Sequence, residues 1–334
     1  MRIALVCLTL LASAGACAAA PFLPPRVVPI GAPEKWQYLL FDSPSQRVFI
    51  AHGTEVTVVD TQHLQIAGRV PGFSGVHGIA LVPGGAGYGA SGKSASVGVF
   101  DPSSYRMIAT VKADVDAYAA VYDPASRHVF VMNDDAGNIT VIDPADNKVV
   151  STIDTGPGLE QAAADGHGHV FIAHSEAHQV LRLDTMRGVV DAAWAIPQCG
   201  APHGLALDND ADRVFVSCPG GVWLAMDART GRVLATLPIG QGGDALMVDA
   251  VRHRIYSPNA DGTLSVIDAQ DGGHFVAEAP FPIPKGARTG ALDPATGRLF
   301  LVTADVAQTL PGRAAKFRFV PGTAKLLVYD PAGR

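Results

Sequence analysis

A unit of about 42 residues recurs along this chain, and a repeat of that period limits the fold more than any other feature. Each copy carries a short apolar strand with an aromatic residue near its centre: Phe49, Tyr88, Phe130, Phe171, Phe215, Tyr256 and Phe300. These aromatics lie 39, 42, 41, 44, 41 and 44 residues apart. A second apolar strand follows in every copy and ends in aspartate, at Asp60, Asp101, Asp143, Asp184, Asp227, Asp268 and Asp330. Turn chemistry such as Asp123-Pro124, Asp143-Pro144 and Asp293-Pro294 punctuates the runs, because Asp caps a turn and Pro presets φ. Each copy therefore reads as four short strands. Such a sheet cannot bury both faces alone, but a radial array packs every face on a neighbour. Two stacked sandwiches would give no reason for this repeat. The chain is expected to be all-β, with residues 19–334 forming a seven-bladed β-propeller.

Six copies have a fourth strand, such as Lys148 to Ile153, whereas the seventh reaches Arg334 just after its third. Near the other end, Arg26-Val27-Val28-Pro29-Ile30-Gly31 has the pattern of the missing strand. Val27 to Ile30 is expected to pair with Leu326 to Tyr329, completing the last blade and removing sheet edges.

The segment before the repeats reads as a signal peptide over residues 1–18. Arg2 supplies a positive start, Ile3 to Leu11 an apolar run, and Ala16-Cys17-Ala18 a small-residue cleavage site. The run is too short to span a bilayer, which needs about 20 apolar residues. Cys17 offers a second course, a lipid-modified N-terminus, although Ala14 stands where such signals usually carry Leu. A periplasmic or secreted monomer with no transmembrane segment is expected. Its formal net charge of −6 argues against a nucleic-acid surface, which needs excess Lys and Arg. Two cysteines remain downstream, Cys199 and Cys218, and an even pair in an oxidising compartment is expected to form a disulfide.

Candidate chemistry gathers at one end of the sheets, here called the top, where the first strand of each repeat begins. Counting back from the turn after each first strand gives Gln37, His77, Tyr118, Glu160, His203, Asp244 and Arg288. Convergent titratable groups in a concavity are a usual mark of a site. The third residue after each anchor aromatic gives an outer set: His52, Ser91, Asn133, His174, Cys218, Asn259 and Thr303. Of these, His52, His174 and Asn259 are expected to join the first ring in lining a ligand site. His77, Glu160 and His203 offer two imidazoles and a carboxylate, an open ligand set for a divalent metal such as Zn, Fe, Mn or Ca. Arg288 suits a carboxylate or phosphate. Beside it runs a long connection, residues 305–323, containing Arg313, Lys316, Phe317, Arg318 and Phe319. Long loops in compact folds are usually functional or disordered, and this one is expected to act as a lid or a partner-binding loop. No G-x-S-x-G motif or phosphate-binding glycine loop occurs.

The runs Asp123-Pro124-Ala125-Ser126-Arg127-His128-Val129-Phe130-Val131 and Gly262-Thr263-Leu264-Ser265-Val266-Ile267-Asp268 resemble the blades of the YVTN/YncE-like propeller proteins of bacteria. The resemblance covers essentially all of the chain after Lys35. It implies the fold but little about activity, since propellers host many functions. The sequence thus points to an exported binding or interaction protein that accepts a small anionic ligand or a protein segment at its top. The alternative is a metal-dependent lyase or lactonase-like hydrolase, in which the metal polarises a carbonyl or activates water and Arg288 holds the substrate.

Overall fold

The computed structural model describes residues 20–33, 35–270, 273–310 and 316–333. The expected signal peptide, residues 1–18, lies outside the described residues. Within them the chain is a β-propeller, with one single-turn 3₁₀ helix, Gly92–Ser94, and strands making up the rest of its regular structure. No helix is long and apolar enough to cross a membrane.

Why strands form is visible in the burial pattern. In His128–Asn133 and Arg254–Asn259 every residue after the first is buried, so both faces of the sheet are covered. Successive side chains of a strand point to opposite faces. Accordingly Phe130 and Met132 pack with the repeat that follows, while Val129 and Val131 pack with the repeat before. All seven anchor aromatics obey this rule and lie in the layer shared with the next repeat. The buried apolar side chains fall into seven such clusters, each drawn chiefly from two successive repeats. The terminal aspartates of the third strands cap the turns that follow. Asp60 accepts the Gln62 and His63 amides, and Asp227 those of Arg229 and Thr230.

The seven separate blades expected from the repeat are corrected to six propeller sheets among the described residues. Four have four strands each, one is a five-stranded assembly, and one has six strands. The six-stranded sheet holds the first two repeats together. Its strands Arg47–Asp60 and Gln65–Leu81 are unusually long, and Gly53 pairs with Val76, so backbone pairing runs on from one repeat into the next.

Ring closure follows the expected register. Arg26–Pro29 adds antiparallel to Lys325–Tyr329, with Val27 opposite Leu327 and Val28 opposite Leu326. Arg26 also bridges to Asp330 at 2.7 Å. Upstream, Phe22 is buried against Tyr256, Phe281 and Tyr329 at centroid distances of 5.5, 6.0 and 6.0 Å. The N-terminal segment thus fills the seam between the last two repeats. Connection 305–323 forms a separate hairpin, Val306–Leu310 with Lys316–Phe319.

Two predictions follow from this architecture. Truncating Phe22 to alanine should lower the unfolding free energy by about 3–5 kcal/mol, as for other buried aromatics. Deleting residues 21–31 should in addition expose an unpaired edge and drive aggregation. Urea titration and gel filtration check both, and a monomeric deletion variant of unchanged stability would refute closure by this segment.

The second prediction concerns Cys199 and Cys218, which are disulfide-bonded with a Cα separation of 5.7 Å. The bond closes a loop of 19 residues, which the chain-entropy account values at about 3 kcal/mol. Protein begun at Ala19 should expose no reactive thiol when denatured without reductant, and Cys218→Ser should lose roughly that stability.

Candidate functional site

The first strands of the repeats meet around the axis, and backbone hydrogen bonds tie neighbours together there. The Tyr38 amide donates to the His77 carbonyl at 3.2 Å, Gln161 to His203 at 3.3 Å, and Asp244 to Arg288 at 3.3 Å. Side chains of the expected ring consequently meet. Glu160 Oε1 lies 3.4 Å from His203 Nε2, and His203 Nδ1 lies 3.3 Å from Asp244 Oδ1. Asp244 Oδ2 in turn sits 3.1 Å from Arg288 Nε. Four residues from four repeats thus form one continuous line of alternating charge. Opposite them, His77 packs edge-on to Tyr118 at 4.8 Å, and Tyr118 packs edge-on to Tyr38 at 5.7 Å.

Tyr38 was not anticipated from the sequence. It meets Tyr118 at the ring position expected of its neighbour Gln37, while Gln37 lines a cavity together with His77 and Arg288. The signal was available, because the preceding residue, Trp36, is also buried and the register could shift by one.

The line of charge reshapes every titration in it. Burial pushes the Glu160 carboxyl up to about 7, despite the favourable charge of His203. For His203 burial acts downward, but the hydrogen bond to Asp244 and the Glu160 charge outweigh it and raise the imidazole above its ordinary range. Burial would also raise Asp244, yet the Arg288 guanidinium and His203 hold it below the usual carboxylate range. His77 is lowered by burial, which outweighs the charges of Asp116 and Asp244. The Tyr38 and Tyr118 hydroxyls are raised well above normal by burial.

A raised carboxyl binds protons in the folded state that the unfolded chain has released. Ionising Glu160 therefore costs folding free energy as pH rises from about 4.5 to about 7. Glu160→Gln removes that cost. Its melting temperature relative to the parent should increase from pH 5 to pH 8, and a pH-independent difference would show that Glu160 titrates normally.

The outer set behaves differently from expectation. All seven of its residues are buried, including His52, His174 and Asn259, so these do not line an open ligand site. Six of them pin the segment that leads into the first strand of their own repeat. His52 Nε2 donates to the Pro33 carbonyl, and His174 Nε2 to Pro157 at 2.7 Å. Thr303 donates to Lys285 at 2.9 Å, and Asn133 accepts the Asp114 amide at 3.3 Å. Asn259 bonds to Ser265 at 3.0 Å, whose hydroxyl accepts the Gly240 amide at 3.1 Å. In the fifth repeat the same position is Cys218, and the clamp is the disulfide itself. A buried polar group must find a partner, and here the incoming backbone supplies one.

The metal set His77, Glu160 and His203 is not brought into one ligand-spaced group. Both nitrogens of His203 already face carboxylates, and His77 stands against Tyr118 across the ring. Among the described residues, the group with mutually close ligand atoms is Asp116, Asp134 and Asp135, of which Asp135 is exposed. Burial pushes Asp134 up to about 6.

The main cavity, about 610 Å³, opens at the top between the first two repeats, the last repeat and the hairpin. Lys35, Lys93, Arg288 and Lys316 contribute to its lining, and among the described residues no carboxylate does. Arg288 keeps 43% of its side chain exposed there despite its bond to Asp244. The hairpin supplies Leu310, Phe317 and Phe319, and Phe319 lies 4.9 Å from the Trp36 ring.

A closed ring of radially arranged antiparallel sheets defines a β-propeller. The chain is similar to the WD40 repeats of RRP9, with a TM-score of 0.80 at 11% identity, over 93% of this chain and 99% of that one. It is similar to the U3-55K structure with a TM-score of 0.77 at 11% identity, over 92% and 98%. It is also similar to hydrazine synthase from Kuenenia stuttgartiensis, with a TM-score of 0.68 at 17% identity, over 88% and 96%. No family model and no curated protein matches the sequence. At these identities the likeness concerns the fold alone.

Proposed function

We propose that this protein is an exported propeller that binds a small anionic ligand at its top. The observation that carries the reading is the cavity to which Lys35, Lys93, Arg288 and Lys316 all contribute, in a chain of net charge −6. Lys35, Lys93 and Lys316 bring their charge to this lining beside Arg288. Arg288 is held in place by Asp244 and still presents part of its guanidinium to the pocket. A planar guanidinium pairs well with carboxylate or phosphate oxygens. Export is supported by the leader-like segment before the repeats and by the disulfide, which fits an oxidising compartment.

On this reading the six-stranded sheet counts as two blades, seven in all, of the YVTN/YncE-like kind. Gly53, at φ +64°, marks a reversal within Arg47–Asp60, because the Thr61 amide returns to the Gln46 carbonyl at 3.1 Å. Gly72, at φ +101°, interrupts Gln65–Leu81 where pairing passes from residues 55–60 to residues 87–91. The seven interlayer clusters agree with that count. The metal-enzyme alternative has less support, because His77 stands apart from the other two expected ligands.

Glutarate and inorganic phosphate are the first probes. Calorimetric titration at low ionic strength should detect binding that weakens as salt screens the charges. Arg288→Ala removes a charged hydrogen-bonding partner, a loss of about 1.5–3 kcal/mol, or roughly ten- to a hundredfold in affinity. Binding that ignores both salt and Arg288→Ala would sink the reading.

A further inference from the structure

We infer that the pocket is built for a flat aromatic acid rather than for anions in general. The inference rests on the anion-binding reading and adds the body of the ligand to its charge. Two walls of different chemistry carry it. One is the cationic side, where Arg288 and Lys93 lie near His77. The other is aromatic: Trp36, Phe317 and Phe319 line the cavity, with centroid distances of 4.9 Å for Trp36–Phe319 and 6.0 Å for Phe317–Phe319. A purely inorganic or aliphatic anion would use the first wall and leave the second without a role. Aromatic rings gain from ring partners beyond the burial of area, and a cation near a ring face adds attraction.

An acid group set on a ring can meet the cations while the ring itself lies against the aromatic wall. The cavity volume lies within the range of small-molecule sites.

The hairpin is what makes this wall. Its base is locked: the Val320 amide donates to the Asp305 carbonyl at 2.7 Å, the Asp305 amide to Thr323 Oγ1 at 2.9 Å, and Lys325 pairs with the Asp305 carboxylate. Gly286, beneath it, admits the Phe319 ring, because a Cβ there would come within 2.7 Å of that ring. The hairpin aromatics are therefore seated on the pocket by specific contacts.

The test compares isophthalate with glutarate, two dicarboxylates of equal charge, by calorimetry on the full chain. Isophthalate should bind about tenfold more tightly, and Phe317→Ala should erase that preference by weakening isophthalate more than glutarate. Phe317 is half-buried on a hairpin, so the variant keeps the propeller core. Isophthalate should also quench tryptophan fluorescence in the parent but not in Trp36→Phe. Equal affinities for the two acids would overturn the aromatic inference and leave anion binding standing. Failure of both to bind would overturn the inference and the anion reading together.

Discussion

A four-stranded sheet with apolar side chains on both faces cannot hide either face by itself, and the whole molecule depends on that constraint. Each sheet is stable only between two others, so the array must close on itself. Closure is made by the first strand of the chain pairing with the last, Arg26–Pro29 on Lys325–Tyr329. The ion pair of Arg26 with Asp330 and the burial of Phe22 reinforce the same seam. The two ends of the sequence therefore become one blade.

Closure brings the first strands together and, with them, side chains that are far apart in sequence. Once Glu160, His203, Asp244 and Arg288 are forced to share a poorly hydrated space, they must order themselves by charge. An unpaired buried ion would be far more costly than the alternating line observed. Asp244 is the pivot, since it satisfies His203 on one side and Arg288 on the other. The burden falls on Glu160 at the end of the line, whose carboxyl is the one pushed towards neutrality.

A symmetric ring alone would offer a symmetric mouth. The hairpin in residues 305–323 breaks that symmetry by adding aromatic rings to one sector. Cations from the first two repeats, the last repeat and the hairpin converge on the same sector. The acids of the ring, in contrast, face the axis. Separation of these two environments gives the opening one sector in which cations and aromatic rings lie together.

The repeat was legible because burial on both faces demands consecutive apolar residues, and turns demand Asp, Gly and Pro, at fixed intervals. The closing strand and the disulfide were legible for a related reason: both fill a place that the repeat leaves open. The ring was legible as a register, and six of its seven members meet one another through their side chains. Tyr38 displaced Gln37 because a one-residue shift reverses which side chain faces the axis. The outer set misled, because a polar residue after a strand looks the same whether it faces solvent or, like His52 and His174, clamps a backbone carbonyl. The merging of the first two repeats into one sheet was equally hidden, since it hangs on a single pairing, Gly53 with Val76. The amino-acid sequence by itself determined the period, the strand faces and the closure, all of which follow from local patterns of burial and turn chemistry. Only the tertiary structure decided which charges meet, which polar groups are clamps and where the cations gather, because those depend on distances between repeats that no local pattern encodes.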